Sequence, residues 1–181
     1  MQIVLAFGAN LETPFGTPQD TLLAAVAALN ARNDISFDQV SSVYCSPPVG
    51  PSYQPQYYNL VASGQTKLSP VHLLAALQGL EKAFGRRGGL CWGPRPLDVD
   101  IIDYDQKIRT WGHAMNTGLA RKFAPLTLPH PRAHQRPFVL VPLQEIMPKW
   151  RHPILRLSPS ALLSGYCLQS DVRAVEKLEI A

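Results

Sequence analysis

Two aspartates, Asp98 and Asp100, stand one residue apart in the segment Leu97-Asp98-Val99-Asp100-Ile101-Ile102. The alternation of apolar and acidic residues is typical of a β-strand with one buried and one polar face. Both carboxylates then project from the same face, roughly 7 Å apart along the strand, and they repel unless a cation lies between them. Proteins commonly bind Mg²⁺ through one or two carboxylates together with substrate phosphates, and the nearby Arg95 suits phosphate oxygens. The segment therefore indicates a metal and phosphate site, although a solvent-exposed acidic strand face produces the same pattern.

Two loops precede this acidic strand in the sequence. Arg95 stands between Pro94 and Pro96. Proline fixes φ and excludes a helix, so Arg95 is expected on a stiff, partly extended loop. Further upstream, Arg86-Arg87-Gly88-Gly89 is a basic loop that glycine makes flexible.

The elements up to the acidic strand follow the order β-α-β-β-α-β. Thr17-Pro18 and Ser69-Pro70 each pair an N-cap residue with proline at the first helical position, and Gly85 suits the end of the second helix. This order predicts an α+β fold with a ferredoxin-like βαββαβ core, an antiparallel sheet with two helices packed on one face. The predicted strands are 2–7, 35–44, 57–65 and 97–102, and the predicted helices are 18–30 and 70–84.

The pattern is less regular after Gln106. We expect a hairpin with an insertion at about 111–122, followed by a segment rich in proline and arginine at 129–137. A helix at about 138–146 and an irregular tail complete the chain. The core is thus predicted to carry a C-terminal hairpin and helix extension.

Length and composition bound the class of protein. The 181 residues suit one domain over residues 1–181. A net charge of +4 and a pI near 9.1 suit an anionic ligand, but the excess is too diffuse to indicate nucleic acid. The apolar runs are too short to span a bilayer and the N-terminus lacks a secretory pattern, so we expect a cytoplasmic protein with no membrane contact. The three cysteines are widely scattered, and we expect reduced thiols.

Several motifs occur along the chain in an order that is more specific than any one of them. They are Phe7-Gly8-Ala9-Asn10-Leu11, Ser46-Pro47-Pro48-Val49-Gly50, Gln54-Pro55-Gln56-Tyr57-Tyr58-Asn59, Gly93-Pro94-Arg95-Pro96-Leu97-Asp98-Val99-Asp100, Leu128-Pro129-His130-Pro131-Arg132 and Arg136-Pro137-Phe138-Val139-Leu140. With these motifs, about residues 1–160 resemble the 6-hydroxymethyl-7,8-dihydropterin pyrophosphokinases. The resemblance implies an enzyme of folate biosynthesis that transfers the pyrophosphoryl group of ATP to a pterin alcohol and releases AMP.

The resemblance also implies the residues that bind ATP. Asp98 and Asp100 match metal ligands that bridge two Mg²⁺ ions to the ATP phosphates. Arg86 and Arg95 match catalytic residues that bind phosphate. The remaining implied ATP-binding residues are Gln78, Ile101, Thr127, His130 and Arg136.

For the pterin, the resemblance implies a ring stacked between Tyr57 and Phe138. Considered without the motifs, these two aromatic residues would more often belong to a core. The other implied pterin contacts are Ser46, Pro47, Val49, Asn59 and Trp92, of which Trp92 closes over the site. The expected partners are the two small-molecule substrates, and the expected state is a monomer.

Two other classes of function stay open. Another Mg²⁺-dependent phosphoryl or nucleotidyl transferase would use the same pair of aspartates. A binding module that has lost turnover is favoured by the basic loop, which looks shorter than is usual in the family and has Arg86 and Arg87 adjacent, with Cys91 before Trp92. No strong general base is evident among the matched residues. Release of AMP would mark pyrophosphoryl transfer, and release of ADP would mark ordinary kinase action.

Overall fold

The computed structural model describes residues 1–49, 53–86, 93–110 and 126–178. In this part of the chain the strands are β1 (Gln2–Ala9), β2 (Ile35–Val40), β3 (Tyr44–Ser46), β4 (Tyr57–Thr66), β5 (Asp98–Tyr104) and β6 (Glu176–Lys177). The helices are α1 (Pro18–Asn30), α2 (Pro70–Ala83), α3 (Pro137–Ile146), α4 (Pro159–Tyr166) and α5 (Gln169–Arg173), with a 3-10 turn at Ala133–Gln135.

The strands form one antiparallel sheet in the order β5-β1-β4-β3-β6, and β2 pairs with the same strand, β4, as β3 does. The predicted order of strands and helices is therefore confirmed, except that two strands, β2 and β3, take the place of the second predicted strand, and the architecture is α+β. β1 lies between β4 and β5, so its neighbours cover both of its edges. The acidic strand β5 follows β1 at one side of the sheet, and β3 and β6 lie at the other.

Both faces of the sheet are buried. On one face, alternate residues of β1 such as Ile3, Leu5 and Phe7 pack with apolar side chains of α1 and α2. On the other face, Val4 and Ala6 pack with apolar side chains of α3 and α4. Strand alternation explains this division, since successive side chains point to opposite faces. The prediction that two helices pack on one face is confirmed by α1 and α2. The helices after residue 136 form a second layer on the other face.

The predicted helix starts are confirmed by their caps. The Thr17 hydroxyl accepts from the backbone N–H of Asp20 at 3.2 Å, and the Asp20 carboxylate accepts from the backbone N–H of Thr17 at 2.9 Å. At the second helix, the Ser69 hydroxyl accepts from the backbone N–H of His72 at 3.4 Å. Each cap satisfies a backbone donor that the first helical turn leaves without a partner.

The prediction of one strand over 35–44 is wrong, because the strand is interrupted at Ser41. The backbone N–H of Ser41 donates to the Val61 carbonyl at 2.9 Å, but the N–H of Val61 donates to the Ser41 hydroxyl at 3.0 Å. A side-chain hydroxyl thus replaces a backbone carbonyl in the ladder, as serine can do next to its own backbone. The chain resumes pairing with β4 as β3, which leads directly to Pro47.

The prediction of an irregular tail is also wrong, since α4, α5 and β6 lie there. Leu162 and Leu163 of α4 are buried against the second face of the sheet, and this packing gives the segment its regular structure.

The helix predicted at 138–146 is confirmed as α3. The predicted hairpin is reduced in the described residues to an antiparallel bridge between Arg109 and Leu128, and the insertion at 111–122 lies outside them. No helix in the described ranges is long and apolar enough to cross a membrane.

His152, packed beside Trp150 under the second face, makes stability depend on pH. Its Nδ1 faces the backbone N–H groups of Ile154 and Leu155 at 3.3 and 3.2 Å, and burial lowers its pKa from 6.5 to about 4. The unfolded chain therefore binds the proton first, and the stabilising contribution is complete above pH 6.5 and lost as the pH falls toward 4. We expect the free energy of unfolding to fall by about 2 kcal/mol between pH 7 and pH 5 from this group.

Urea unfolding of the wild type and of His152→Asn at both pH values measures this effect. Asparagine keeps an acceptor and does not titrate, so the stability difference between the two proteins should shrink at pH 5. His72→Asn, on the exposed side of α2, is the matched control and should leave the pH dependence unchanged. A difference between wild type and His152→Asn that is the same at both pH values would contradict the prediction.

Candidate active site

An open cleft of about 740 Å³ lies against β1 and is walled by α2, β5, the start of α3 and the segment that follows β3. Most of the residues that the sequence indicated line it, although they come from distant parts of the chain. They are Ser46, Pro47, Val49, Tyr57, Asn59, Gln78, Arg86, Arg95, Asp98, Asp100, His130, Arg136 and Phe138. The structure thus brings the acidic, basic and aromatic groups together in one place.

The two aspartates lie on one face of β5, as the alternation predicted. Val99 and Ile101 point into the core, and Asp98 and Asp100 are each about one third exposed on the cleft side. The carboxylate of Asp98 contacts a guanidinium nitrogen of Arg86 at 2.6 Å and one of Arg95 at 2.9 Å. Two arginines from outside β5 therefore compensate the negative charge of Asp98.

Asp100 has its own positive neighbours. Arg136 donates to its carboxylate at 2.7 Å, and the Nε2 atom of His130 lies 3.6 Å from the same oxygen. Burial alone would raise the pKa of Asp100, but the charges of His130 and Arg136 outweigh it and hold the pKa below the ordinary value. Asp100 is consequently ionised at neutral pH and available as an oxygen ligand.

These carboxylates suit a hard divalent cation. Oxygen donors are what Mg²⁺ prefers, and it usually keeps several waters and substrate phosphate oxygens in its coordination shell. Among the described residues, no group of three or more histidine, cysteine, aspartate or glutamate side chains is arranged to hold a metal ion. As oxygen donors, the two carboxylates of Asp98 and Asp100 fit part of such a shell.

Arg86 owes its position to the end of α2. Gly85 has a φ of +91°, its N–H donates to the Lys82 carbonyl at 3.1 Å, and the N–H of Arg86 donates to the Glu81 carbonyl at 2.9 Å. This is the Schellman arrangement, for which glycine is preferred because the conformation is left-handed. The turn places the Arg86 side chain beside the carboxylates of both Glu81 and Asp98.

Glu81 lines the cleft and was not among the residues predicted from the sequence. It is 6% exposed, accepts from the backbone N–H of Val99 at 2.8 Å and pairs with Arg86. Burial raises its pKa to about 7. The available signal was its spacing, since Glu81 follows the predicted Gln78 by three residues and lies on the same helix face.

Asn10 is a second residue that the sequence analysis left without a role, although it lies in one of the motifs. It is 2% exposed. Its side-chain oxygen accepts from the backbone N–H of Arg95 at 2.8 Å, its own N–H donates to the Arg95 carbonyl at 3.1 Å, and its side-chain amide donates to the Pro55 carbonyl at 3.3 Å. Asn10 therefore fixes the backbone on which Arg95 stands and connects it to the loop before Tyr57.

The aromatic pair lies on the β3 side of the cleft. Tyr57 donates its hydroxyl to the Gly93 carbonyl at 3.1 Å, and the guanidinium of Arg136 lies 5.6 Å from the centre of the Phe138 ring. Asn59, which is buried, donates its amide to the Ser46 hydroxyl at 2.9 Å. The cleft therefore combines apolar ring surfaces with polar groups at one edge, as a flat heteroaromatic ligand requires.

Three predicted site residues are not seen in the cleft. Ile101 is buried in the core between the sheet and α2, and Thr127 is buried with its hydroxyl 3.2 Å from that of Thr110. Their contacts to a nucleotide stay predictions. Trp92 lies outside the described residues, as do Arg87 and the rest of the basic loop through Cys91.

Comparison with known proteins gives a consistent result. Residues 4–148 match the model of the family described as 7,8-dihydro-6-hydroxymethylpterin-pyrophosphokinase (HPPK). A 2-amino-4-hydroxy-6-hydroxymethyldihydropteridine pyrophosphokinase of Haemophilus influenzae is 40% identical over 142 residues, which are 78% of this chain and 79% of the relative. The enzyme with the same name from Pseudomonas aeruginosa is 35% identical over 161 residues, covering 89% and 90%.

Among solved structures, Plasmodium falciparum HPPK-DHPS superposes with a TM-score of 0.67 at 13% identity. The match covers 99% of this chain but 47% of that one, so the chain spans about half the length of this structural relative. At such low identity the likeness establishes the fold, which it shares with the HPPK-DHPS structure.

We expect Glu81→Ala to destabilise the protein, because it leaves the buried N–H of Val99 without its carboxylate acceptor. The expected loss is about 1–3 kcal/mol in the free energy of unfolding. Glu81→Gln is the matched variant, since its amide oxygen can still accept, and we expect it to cost less than about 1 kcal/mol. Urea denaturation of the three proteins measures both values, and equal losses in the two variants would show that the acceptor role is not what matters.

Proposed function

We propose that this chain, which belongs to the 7,8-dihydro-6-hydroxymethylpterin-pyrophosphokinase family, transfers the pyrophosphoryl group of ATP to 6-hydroxymethyl-7,8-dihydropterin in folate biosynthesis. One observation carries the proposal: two carboxylates balanced by three arginines face the same cleft as two aromatic side chains, Tyr57 and Phe138. The charged half suits a triphosphate, and the aromatic half suits a pterin ring. A cleft of about 740 Å³ has room for ligands of this size.

In this reaction the hydroxymethyl oxygen of the pterin attacks the β-phosphorus of ATP. The bond between the β-phosphorus and the oxygen that bridges it to the α-phosphorus breaks, AMP leaves, and the hydroxyl proton passes to solvent. Phosphoryl-type transfer needs alignment and charge stabilisation more than covalent help from the protein. The chain therefore has to hold the two substrates in line and to neutralise the phosphate oxygens.

Arg86, Arg95 and Arg136 are suited to that task. Their guanidinium groups contact the carboxylates of Asp98 and Asp100, and a triphosphate offers them oxygens of similar geometry. We propose that they turn to the phosphates when ATP binds and release the carboxylates. Asp98 and Asp100 would then hold two Mg²⁺ ions, which supply charge neutralisation and alignment of the triphosphate when bound. His130 lies next to Asp100 and would contact the same phosphates.

On the pterin side, Tyr57 and Phe138 would stack against the two faces of the ring. Asn59 and the segment Ser46–Val49 would bond its polar edge, because their donors and acceptors lie at the end of the cleft beside these rings. Gln78 and the backbone at Ile101 are proposed nucleotide contacts, with Thr127 near the phosphates. A single domain over residues 1–181, a monomeric state and a cytoplasmic location complete the proposal.

The direct test mixes purified protein with ATP, Mg²⁺ and 6-hydroxymethyl-7,8-dihydropterin and separates the nucleotide products by chromatography. AMP that forms only when pterin and Mg²⁺ are both present is the expected result. ADP in place of AMP would indicate a different transferase, and binding of both ligands with no product would indicate a binding module.

Asp98→Asn and Asp100→Asn should each lower turnover at least about 100-fold, since several kcal/mol of charge stabilisation depend on the bound metal. Asparagine preserves the size of each side chain, so the circular dichroism spectrum should be unchanged. Initial rates over a range of Mg²⁺ concentrations measure the effect. Wild-type rates in either variant at saturating Mg²⁺ would show that the metal ligands are assigned to the wrong residues.

Tyr57→Ala and Phe138→Ala should weaken pterin binding about 5- to 100-fold, the range expected when one aromatic stacking surface is lost. Affinity for ATP should fall less than affinity for pterin, because Tyr57 and Phe138 lie beside arginines of the site but offer the phosphates no charge of their own. Tyr57→Phe is the matched control, as it keeps the ring and removes only the hydroxyl bonded to Gly93. Calorimetric titration with each ligand separates the two affinities, and equal losses for ATP and pterin would argue against stacking.

A further inference from the structure

The chain after residue 168 adds a strand next to the proposed pterin segment. β6 pairs with β3 through Tyr44 opposite Lys177 and Cys45 opposite Glu176, and the N–H of Leu178 donates to the Val43 carbonyl at 3.0 Å. β3 is only three residues long and leads directly into Ser46-Pro47. Without β6, β3 would be a short strand at the edge of the sheet, and strands of that kind are readily frayed.

A polar cluster strengthens this pairing from the side of α3. The Glu145 carboxylate accepts from the backbone N–H and the hydroxyl of Ser42, at 2.9 and 2.8 Å, and from the Tyr44 hydroxyl at 3.2 Å. Lys177 of β6 donates to the same carboxylate at 2.8 Å. One carboxylate thus joins the start of β3, the last turn of α3 and β6.

The segment also contacts the space behind the pterin loop. A second cleft of about 330 Å³ is lined by Ser46–Val49, by residues around the start of α3 and by residues of the C-terminal segment, the last two groups being Arg132, Gln135, Arg136, Pro137 and Phe138, and Asp171, Ala174 and Val175. The residues that would bond the pterin edge therefore lie between the proposed pterin site and the C-terminal segment. A displacement of the C-terminal segment would therefore directly change the positions of Ser46–Val49.

We infer that residues 170–178 are a positioning element for the pterin half of the active site, and this inference rests on the proposed function. β6 holds β3 against β4, which keeps Ser46 opposite Tyr57 and within hydrogen-bond distance of the Asn59 amide. Asp98, Asp100 and Arg95 belong to β5 and the loop before it, three strands away or roughly 14 Å, whereas Arg136 of the nucleotide half stands at the start of α3. Loosening β6 consequently affects the pterin residues and leaves the aspartates and Arg95 in place, while Arg136 keeps its anchor at the start of α3.

The test uses two variants of the whole chain. Lys177→Glu places a negative charge against Glu145 at a side chain that is about half exposed, so the fold tolerates it. Leu178→Pro removes the N–H that donates to Val43. Lys67→Glu is the matched charge reversal, at the far end of β4 and about 25 Å along the strand from Asn59. The ligands are 6-hydroxymethyl-7,8-dihydropterin and the α,β-methylene analogue of ATP with Mg²⁺.

We expect the dissociation constant for pterin to rise about fivefold to tenfold in Lys177→Glu and Leu178→Pro, as when one or two hydrogen bonds are lost. The constant for the ATP analogue should stay within twofold, and Lys67→Glu should match the wild type for both ligands. Hydrogen exchange at the amides of Tyr44–Ser46 should become faster in the two variants. KM for pterin should rise with little change in kcat.

Two results would overturn the inference. One is faster exchange at β3 with unchanged pterin affinity, which would show that β6 stabilises the fold and nothing more. The other is an equal loss of affinity for both ligands. If Leu178→Pro does not fold, Lys177→Glu decides between these outcomes alone. Failure of the proposed function is a separate observation, because the wild type would then bind no pterin and form no AMP.

Discussion

The electrostatic repulsion between the carboxylates of Asp98 and Asp100 is the constraint around which the other charged groups of the site are arranged. At roughly 7 Å and an effective dielectric constant of about 20, two such charges repel by about 2 kcal/mol. A guanidinium at about 4 Å contributes about 4 kcal/mol of attraction under the same conditions before desolvation is subtracted. The arginines therefore offset the repulsion between the two carboxylates.

The three arginines come from three different elements, and each is fixed by its backbone. Arg86 stands just after the Schellman turn that ends α2, and Arg95 stands on the loop that Asn10 fastens to β1. Arg136 is the N-cap position of α3, with Pro137 as the first helical residue. Because each backbone is held by buried hydrogen bonds or a helix end, the side chains can change partners while their anchors stay in place.

The sheet supports the two halves of the cleft separately. β5 carries the acidic pair and lies beside β1, whose residues are buried on both faces and give this region a rigid base. The segment proposed to bond the pterin follows β3, which has three residues and pairs with β4 and β6 beside the Glu145 cluster. The aspartates proposed to bind metal therefore rest on the most deeply packed part of the sheet, and the residues proposed to bind the ring rest on a more peripheral part.

Local sequence patterns were enough to predict the secondary structure of most of the first hundred residues. The period-two alternation of β5, the Thr17-Pro18 and Ser69-Pro70 caps and the glycine after α2 all depend on neighbouring residues, so the sequence expresses them directly. The motifs also indicated most of the residues that line the cleft. The break at Ser41 was not predictable in this way, because it arises when a hydroxyl replaces a carbonyl opposite Val61, a residue twenty positions away.

The same distinction holds for the whole chain. Sequence by itself determined the acidic pair, the stiff loop of Arg95, the helix boundaries and the family, since these follow from residue type and short-range spacing. Only the tertiary structure showed that Glu81 lines the cleft and Asn10 holds the Arg95 backbone, that Arg136 pairs with Asp100, and that the tail forms α4, α5 and β6. Each of these depends on contacts between residues far apart in sequence, where burial and the geometry of packing decide which hydrogen bonds and ion pairs form.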